Sequence, residues 1–172
     1  MLTLLRIIII PFFIGFTLAG SYKLALILFV IAAFTDTIDG IIARRFGYVS
    51  GFGKVFDPLA DKLLTASALL LLTYLGLVYW WITALILIRE VLITLLRYNL
   101  TKRDVYLPAN VYGKMKTNTQ FGAIVFSFFY IAFLGQSSVI ESIIFAIFLV
   151  ATILTWASAI IYFIQVRRGS YV

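Results

Sequence analysis

Apolar runs of about 20 residues, the length that crosses the hydrocarbon core of a bilayer, fill nearly all of this chain and leave only short polar breaks between them. They predict six spanning helices, at about 3–20, 23–46, 52–77, 79–101, 112–134 and 138–166. A 172-residue chain that is 63% hydrophobic and 12% charged cannot hide that surface inside a soluble core of its own. The expected fold class is therefore all-α: a polytopic membrane protein in a single domain, residues 1–172, with no separate soluble part. No small-residue cleavage site follows the first run, so it reads as a retained helix and not as a signal peptide. Pro11 is expected to redirect the chain and leave part of the first dozen residues along the membrane surface.

Charge then sets the topology. With a cytoplasmic N-terminus, twelve of the fourteen cations fall on one face: Arg6, Arg44, Arg45, Lys54, Lys62, Arg97, Lys102, Arg103, Lys114, Lys116, Arg167 and Arg168. Only Lys23 lies on the other face, and Arg89 is mid-span. The bias of Lys and Arg toward the cytoplasm thus gives six helices with both termini cytoplasmic, in the cell membrane. Tyr79, Trp80 and Trp81 fit an aromatic belt at the outer interface. The long polar stretch Thr101 to Tyr112 is expected to be a cytoplasmic loop. The excess of positive charge is accounted for by this topology and by an anionic partner, and no nucleic acid is expected.

Four of the seven acidic residues, Asp36, Asp39, Asp57 and Asp61, fall within or between runs of spanning length. An aspartate at the centre of a spanning helix is unfavourable by about 2.5 to 3.5 kcal/mol, so four of them require compensation. Asp36 and Asp39 are three apart, Asp57 and Asp61 four apart, and on helices each pair shares a face. With the turn at Gly47 to Gly51, the rise per residue puts two of the carboxylates about 10 Å and two about 15 Å below it, on antiparallel neighbours. The four can converge. The chain has no cysteine and no histidine, so any metal must be held by oxygen, which suits hard divalent cations such as Mg²⁺ or Mn²⁺. Gly40, Ala43 and Gly53 leave room for a ligand beside the cluster, and Pro58 is expected to bend its helix. The plainer alternative is ion pairing with Arg44, Lys54 and Lys62, or capping of helix ends. Four buried acids against three shallower cations leave negative charge over, and metal would balance it.

The pattern Asp36-x-x-Asp39-Gly40-x-x-Ala43-Arg44, eight residues, then Gly53-x-x-x-Asp57-x-x-x-Asp61 resembles the complete signature of the CDP-alcohol phosphotransferase family. The resemblance implies that Asp36, Asp39 and Asp57 bind two divalent cations, Mg²⁺ or Mn²⁺. It also implies that Asp61 completes that site and acts as general base, and that Asp36, Gly40, Arg44 and Gly53 surround the CDP moiety of the lipid. A homodimer is a further implication of the resemblance.

A second constellation is cationic. Arg89 lies near the middle of WWITALILIREVLITLLRYNL, where a charge is a functional-site hypothesis by default. Arg97 is eight residues on, about 80° around the helix and 12 Å along it, and Gly113-Lys114-Met115-Lys116-Thr117 opens the next run at a similar level. Arg89, Arg97, Lys114 and Lys116 suit a phosphate-bearing acceptor. Snorkelling anchors are the alternative for Arg97, Lys114 and Lys116, and an ion pair with a buried aspartate for Arg89. Glu90 projects about 100° from Arg89 and is assigned to helix packing. The sixth run carries only generic apolar sequence.

The stretches RIIIIPFF, FGKVFDPLADK, REVLITLLR and GKMKT are similar to those of the family's glycerol-phosphate-using branch. That similarity implies transfer of a phosphatidyl group from CDP-diacylglycerol to sn-glycerol 3-phosphate, at a site facing the cytoplasm. The chain begins at Met1-Leu2-Thr3, without the Asn-containing segment that commonly precedes Leu-Thr in the family. A sister enzyme using inositol phosphate, serine or phosphatidylglycerol is the nearest competitor. A cation transporter is a more distant one, disfavoured because no second acidic copy or inverted repeat is visible, and a non-catalytic scaffold would not need four buried acids.

Overall fold

The computed structural model describes residues 2–46, 51–101 and 111–167, with side chains described for 5–35, 59–100 and 115–167. These residues form six α-helices and no strand: α1 (Leu2–Leu18), α2 (Tyr22–Phe46), α3 (Gly51–Tyr74), α4 (Trp80–Thr101), α5 (Val111–Phe129) and α6 (Ser138–Arg167), with a π-helical turn Tyr130–Leu134 closing α5. The polar breaks end the helices for identifiable reasons. Gly20 and Gly76 adopt φ of 75° and 79°, a left-handed geometry that costs glycine nothing. There the chain folds back, with Ser21 N–H donating to Phe16 O at 2.8 Å and Leu77 N–H to Leu72 O at 3.0 Å. The expected turn at Gly47 to Gly51 and the Thr101 to Tyr112 loop fall largely outside the described residues, and α3 is one α-helix through Pro58. At Pro11 the expectation is corrected. α1 runs as one helix from Leu2 to Leu18 through Pro11, whose ring lies on an exposed face of it.

Packing closes the helices into a ring, α2–α1–α3–α4–α6–α5 and back to α2, with α3 also touching α2 and α5. Phe13 of α1, Phe29 of α2 and Phe128 of α5 are buried and stacked or edge-on at centroid distances of 5.3 to 6.3 Å. Leu64, Ala68 and Leu72 of α3, Ile82 and Ile86 of α4, and Ile144 and Phe148 of α6 continue this apolar core. It occupies the half of the bundle nearest the α3–α4 and α5–α6 connections. Tyr79 and Trp80 stand exposed at that end, with Tyr79 edge-on to Phe145 at 5.4 Å.

The outer surface is the reverse of a soluble protein's. Phe12, Phe34, Leu70, Val91, Phe133 and Ile153 are exposed, while Arg6, Arg89 and Lys116 are 1%, 5% and 6% exposed. Apolar outside and charged inside is the pattern of a protein solvated by lipid. By length and composition, Met115–Leu134 and Ser138–Arg167 are long and apolar enough to cross a membrane, and Leu5–Leu18 and Tyr22–Thr35 are shorter apolar stretches. α4 is interrupted by Arg89, Glu90 and Arg97, and α2 and α3 by the acidic window. The chain is an all-helical membrane protein.

At the α5–α6 connection, the buried Tyr130 hydroxyl accepts the Ser137 N–H at 2.6 Å and donates to Glu141 Oε1 at 3.0 Å. Gly135, at φ 67°, lets the chain reverse beneath it. Tyr130→Phe is expected to lower unfolding stability by about 1–3 kcal/mol without changing the activity of the folded fraction, as measured by thermal unfolding in detergent beside turnover.

Candidate functional site

The buried cations Arg6, Arg89 and Lys116 lie toward the other half of the bundle. Side-chain pairings fix how the helices run there: Lys62 of α3 donates to the Thr94 hydroxyl of α4, while Thr73 and Thr83 meet at 2.7 Å farther along the same pair, so α3 and α4 are antiparallel. Arg89 pairs with residues 155 and 158 of α6, and Arg97 with residue 162, so α4 and α6 are parallel. An up-and-down bundle follows, in which α1, α3 and α5 start at the polar end and α2, α4 and α6 finish there.

All four signature aspartates lie on the two expected helices. Asp36 and Asp39 fall in the last part of α2 and Asp57 and Asp61 in the first part of α3, and these two helices are in contact. The side chains of Asp36, Asp39, Arg44 and Asp57, and the surroundings of Gly40 and Gly53, lie outside what the structure describes. Asp61 is described: it is exposed, its backbone carbonyl accepts the Thr65 hydroxyl at 3.0 Å, and it is within electrostatic range of Lys62 and Lys116. Among the residues whose side chains are described, which include Asp61 alone of the four aspartates, no group of three or more potential metal ligands occurs. A divalent cation fits the donor set: four carboxylates, three and four apart on two touching helices, in a chain without histidine or cysteine.

The cationic constellation is assembled more tightly than spacing alone implies. Arg89 donates from Nε to Thr155 O at 3.0 Å and from Nη2 to Ser158 Oγ at 2.9 Å. Its Nη1 lies 3.7 Å from Glu90 Oε1, and the same carboxylate oxygen pairs with the Lys116 ammonium. Arg97, exposed at the end of the network, donates to the Tyr162 hydroxyl and lays its guanidinium over that ring at 4.9 Å. Lys114 is in the first turn of α5, its side chain outside the described residues.

Two expectations are corrected here. Glu90 is no passive packing residue, because its carboxylate joins α4 to α5 through Lys116 and also faces Arg89. α6 is not generic, because Thr155, Ser158 and Tyr162, within 60° of one another on a helical wheel, supply the arginines' partners. Sequence reading overlooked that stripe, whose three- and four-residue spacing was visible. Arg6, one of the cations assigned to the cytoplasmic face, is buried between α1 and α2 with Nε donating to Ala32 O at 3.2 Å.

Lys62 lies in electrostatic range of Arg89, Arg97 and Lys116, Arg89 in range of Arg97 and Lys116, and Asp61 in range of both lysines. Glu90 lies between Arg89 and Lys116 in this cluster. The fold and this site define a helical membrane protein with a network of cations inside one end of its bundle.

Comparison with known proteins narrows that class. A family model described as CDP-alcohol phosphatidyltransferase matches residues 1–164. The "Probable phosphatidylglycerophosphate synthase" of Mycobacterium tuberculosis (strain ATCC 25618 / H37Rv) is 37% identical over 160 residues, covering 90% of this chain and 75% of the relative. A "CDP-diacylglycerol--glycerol-3-phosphate 3-phosphatidyltransferase" of Bacillus subtilis (strain 168) is 38% identical over 138 residues, 72% of each chain. One of the same description from Shigella flexneri serotype 5b (strain 8401) is 36% identical over 179 residues, covering 97% of this chain and 93% of the relative. The chain belongs to the CDP-alcohol phosphatidyltransferase family, and it is a membrane-embedded transferase.

Proposed function

We propose that this enzyme transfers the phosphatidyl group of CDP-diacylglycerol to sn-glycerol 3-phosphate, forming phosphatidylglycerophosphate and CMP. The observation that carries this reading is a cation cluster, Lys62, Arg89, Arg97 and Lys116, with Asp61 of the signature in range of Lys62 and Lys116, in a chain whose relatives are named as CDP-diacylglycerol--glycerol-3-phosphate 3-phosphatidyltransferase. A phosphorylated acceptor needs such cations; an uncharged one does not.

Asp36, Asp39, Asp57 and Asp61 would hold two divalent cations, Mg²⁺ or Mn²⁺. When bound, these supply charge neutralisation for the pyrophosphate and its departing phosphate. Asp36, Gly40, Arg44 and Gly53 border the CDP group, with the two glycines leaving space for it. Arg97, exposed, meets the acceptor phosphate first, and Arg89, Lys114 and Lys116 hold it deeper. Arg89 is suited to this because α6 occupies only two of its five N–H donors. Asp61 takes the proton from the acceptor hydroxyl, whose oxygen attacks the β-phosphorus. The phosphorus–oxygen bond to CMP breaks, and CMP leaves with its electrons.

Both termini and this site face the cytoplasm, with all six helices spanning the cell membrane. The distribution of Lys and Arg along the sequence and the up-and-down order of the helices support that orientation. Pairing into a homodimer within the bilayer rests on the family resemblance.

Purified protein given CDP-diacylglycerol and, in parallel, glycerol 3-phosphate, inositol phosphate, serine or phosphatidylglycerol tests the acceptor. Mass spectrometry of the lipid product is expected to find phosphatidylglycerophosphate alone. A phosphoinositide with no glycerol phosphate product would transfer the site to the sister activity. Arg97→Ala is expected to raise KM for glycerol 3-phosphate by about tenfold and to leave KM for CDP-diacylglycerol within twofold. Equal rises for both substrates would remove Arg97 from the acceptor site.

A further inference from the structure

We infer that Ser158 and Tyr162 of α6 are positioning residues for the acceptor: they aim Arg89 and Arg97 into the site and so set its affinity for the phosphorylated substrate. The inference rests on the reading that these two arginines hold the acceptor phosphate. An arginine on an apolar helix can adopt many rotamers, and a site that must place two of them loses affinity to that freedom. The fork of Arg89 is held twice from one side, by Thr155 O at 3.0 Å and Ser158 Oγ at 2.9 Å, and Ser158 is fully buried. Its remaining donors are thereby turned away from α6, toward the side where Glu90 and Lys116 lie.

Tyr162 does the same for Arg97 in two ways, through its hydroxyl and through the face of its ring, whose centroid is 4.9 Å from Cζ. The ring is 2% exposed and packs with Ile93 and Ala159, so it is a fixed platform beneath an exposed guanidinium. The parallel register explains why one helix serves both. Residues 89 and 97 are about 12 Å apart along α4, and 155 and 162 about 10.5 Å apart along α6, so each arginine meets a partner at its own level. Neither Ser158 nor Tyr162 is assigned to bind either substrate, and neither needs to.

The test is steady-state kinetics of purified Ser158→Ala, Ser158→Thr, Tyr162→Phe and Tyr162→Leu, with Arg97→Ala and Arg89→Lys assayed alongside. Tyr162→Phe keeps the ring and loses the hydroxyl, and is expected to raise KM for glycerol 3-phosphate about threefold; Tyr162→Leu loses both and is expected to raise it about tenfold. Ser158→Ala is expected to raise it about threefold and Ser158→Thr to restore it. KM for CDP-diacylglycerol stays within twofold, and kcat falls less than KM rises. A purely structural role would move both KM values, or the active fraction, together, and that result overturns the inference. If Arg97→Ala and Arg89→Lys raise the acceptor KM while the α6 variants leave it unchanged, positioning by α6 is wrong and the acceptor site stands. If the arginine variants also leave it unchanged, the acceptor site itself is misassigned. Tyr162→Phe removes one oxygen and keeps the packing, so it decides the matter should Tyr162→Leu fail to fold.

Discussion

Asp61→Asn is expected to abolish turnover, lowering kcat by at least about a thousandfold, while the protein still folds. General-base catalysis accounts for about a hundred- to ten-thousandfold in rate, and an amide cannot accept the acceptor's proton. Asn keeps the size of Asp, and Asp61 is exposed with its backbone carbonyl bonded to Thr65, so helix α3 has no reason to unfold. Removing a charge that belongs to the carboxylate set also weakens divalent binding, so the metal concentration for half-activity is expected to rise. Single-turnover assays of purified Asp61→Asn at saturating metal separate the two effects. Wild-type rates there would dismiss Asp61 as the base, whereas full rescue by excess metal alone would make it a ligand only.

Arg89→Met sets two effects on stability against each other. An arginine at the centre of a spanning helix is unfavourable by about 2.5–3.5 kcal/mol, which the substitution relieves. Against this stand two bonds to α6 and the facing Glu90 carboxylate, with interhelical hydrogen bonds in membranes worth about 0.6–2 kcal/mol each. The terms nearly cancel, because Lys116 still balances Glu90. Thermal unfolding should therefore shift by only a few degrees, while kcat/KM for glycerol 3-phosphate falls by about a hundredfold or more for loss of a buried charge-assisted contact. Arg89→Lys should be intermediate, since it keeps the charge and loses the fork. A protein that unfolds on Arg89→Met would make this arginine a structural pin, and unchanged kinetics would place it outside the site.

Much of the fold was legible because the apolar runs are long and the breaks between them carry glycine. Helix limits agree with the expected spans to within about three residues except where α5 passes into its π-helical turn. Pro11 misled, since α1 continues through it as one 17-residue helix. The signature pointed to the family, and the family model and relatives agree.

Less was legible where partners are distant in sequence. Glu90 and Lys116 are 26 residues apart, Arg89 and Ser158 69, and no local spacing reveals that α4 and α6 run parallel in register. Arg6 illustrates the same limit: in the sequence it is one more cation of the cytoplasmic face, and only the packing of α1 on α2 shows it enclosed beside Ala32. The stripe of Thr155, Ser158 and Tyr162 was present in the sequence at helical spacing, yet in so apolar a helix its meaning depends on what faces it.

The central claim is that the acidic signature carries out a metal-dependent displacement on CDP-diacylglycerol. CMP release by the purified protein in the presence of glycerol 3-phosphate, measured before chelation, after chelation and after Mg²⁺ or Mn²⁺ is restored, tests it most directly. The account predicts release that stops with chelator and returns with metal. Release that continues undiminished under chelation, or none under any metal and acceptor, would contradict it.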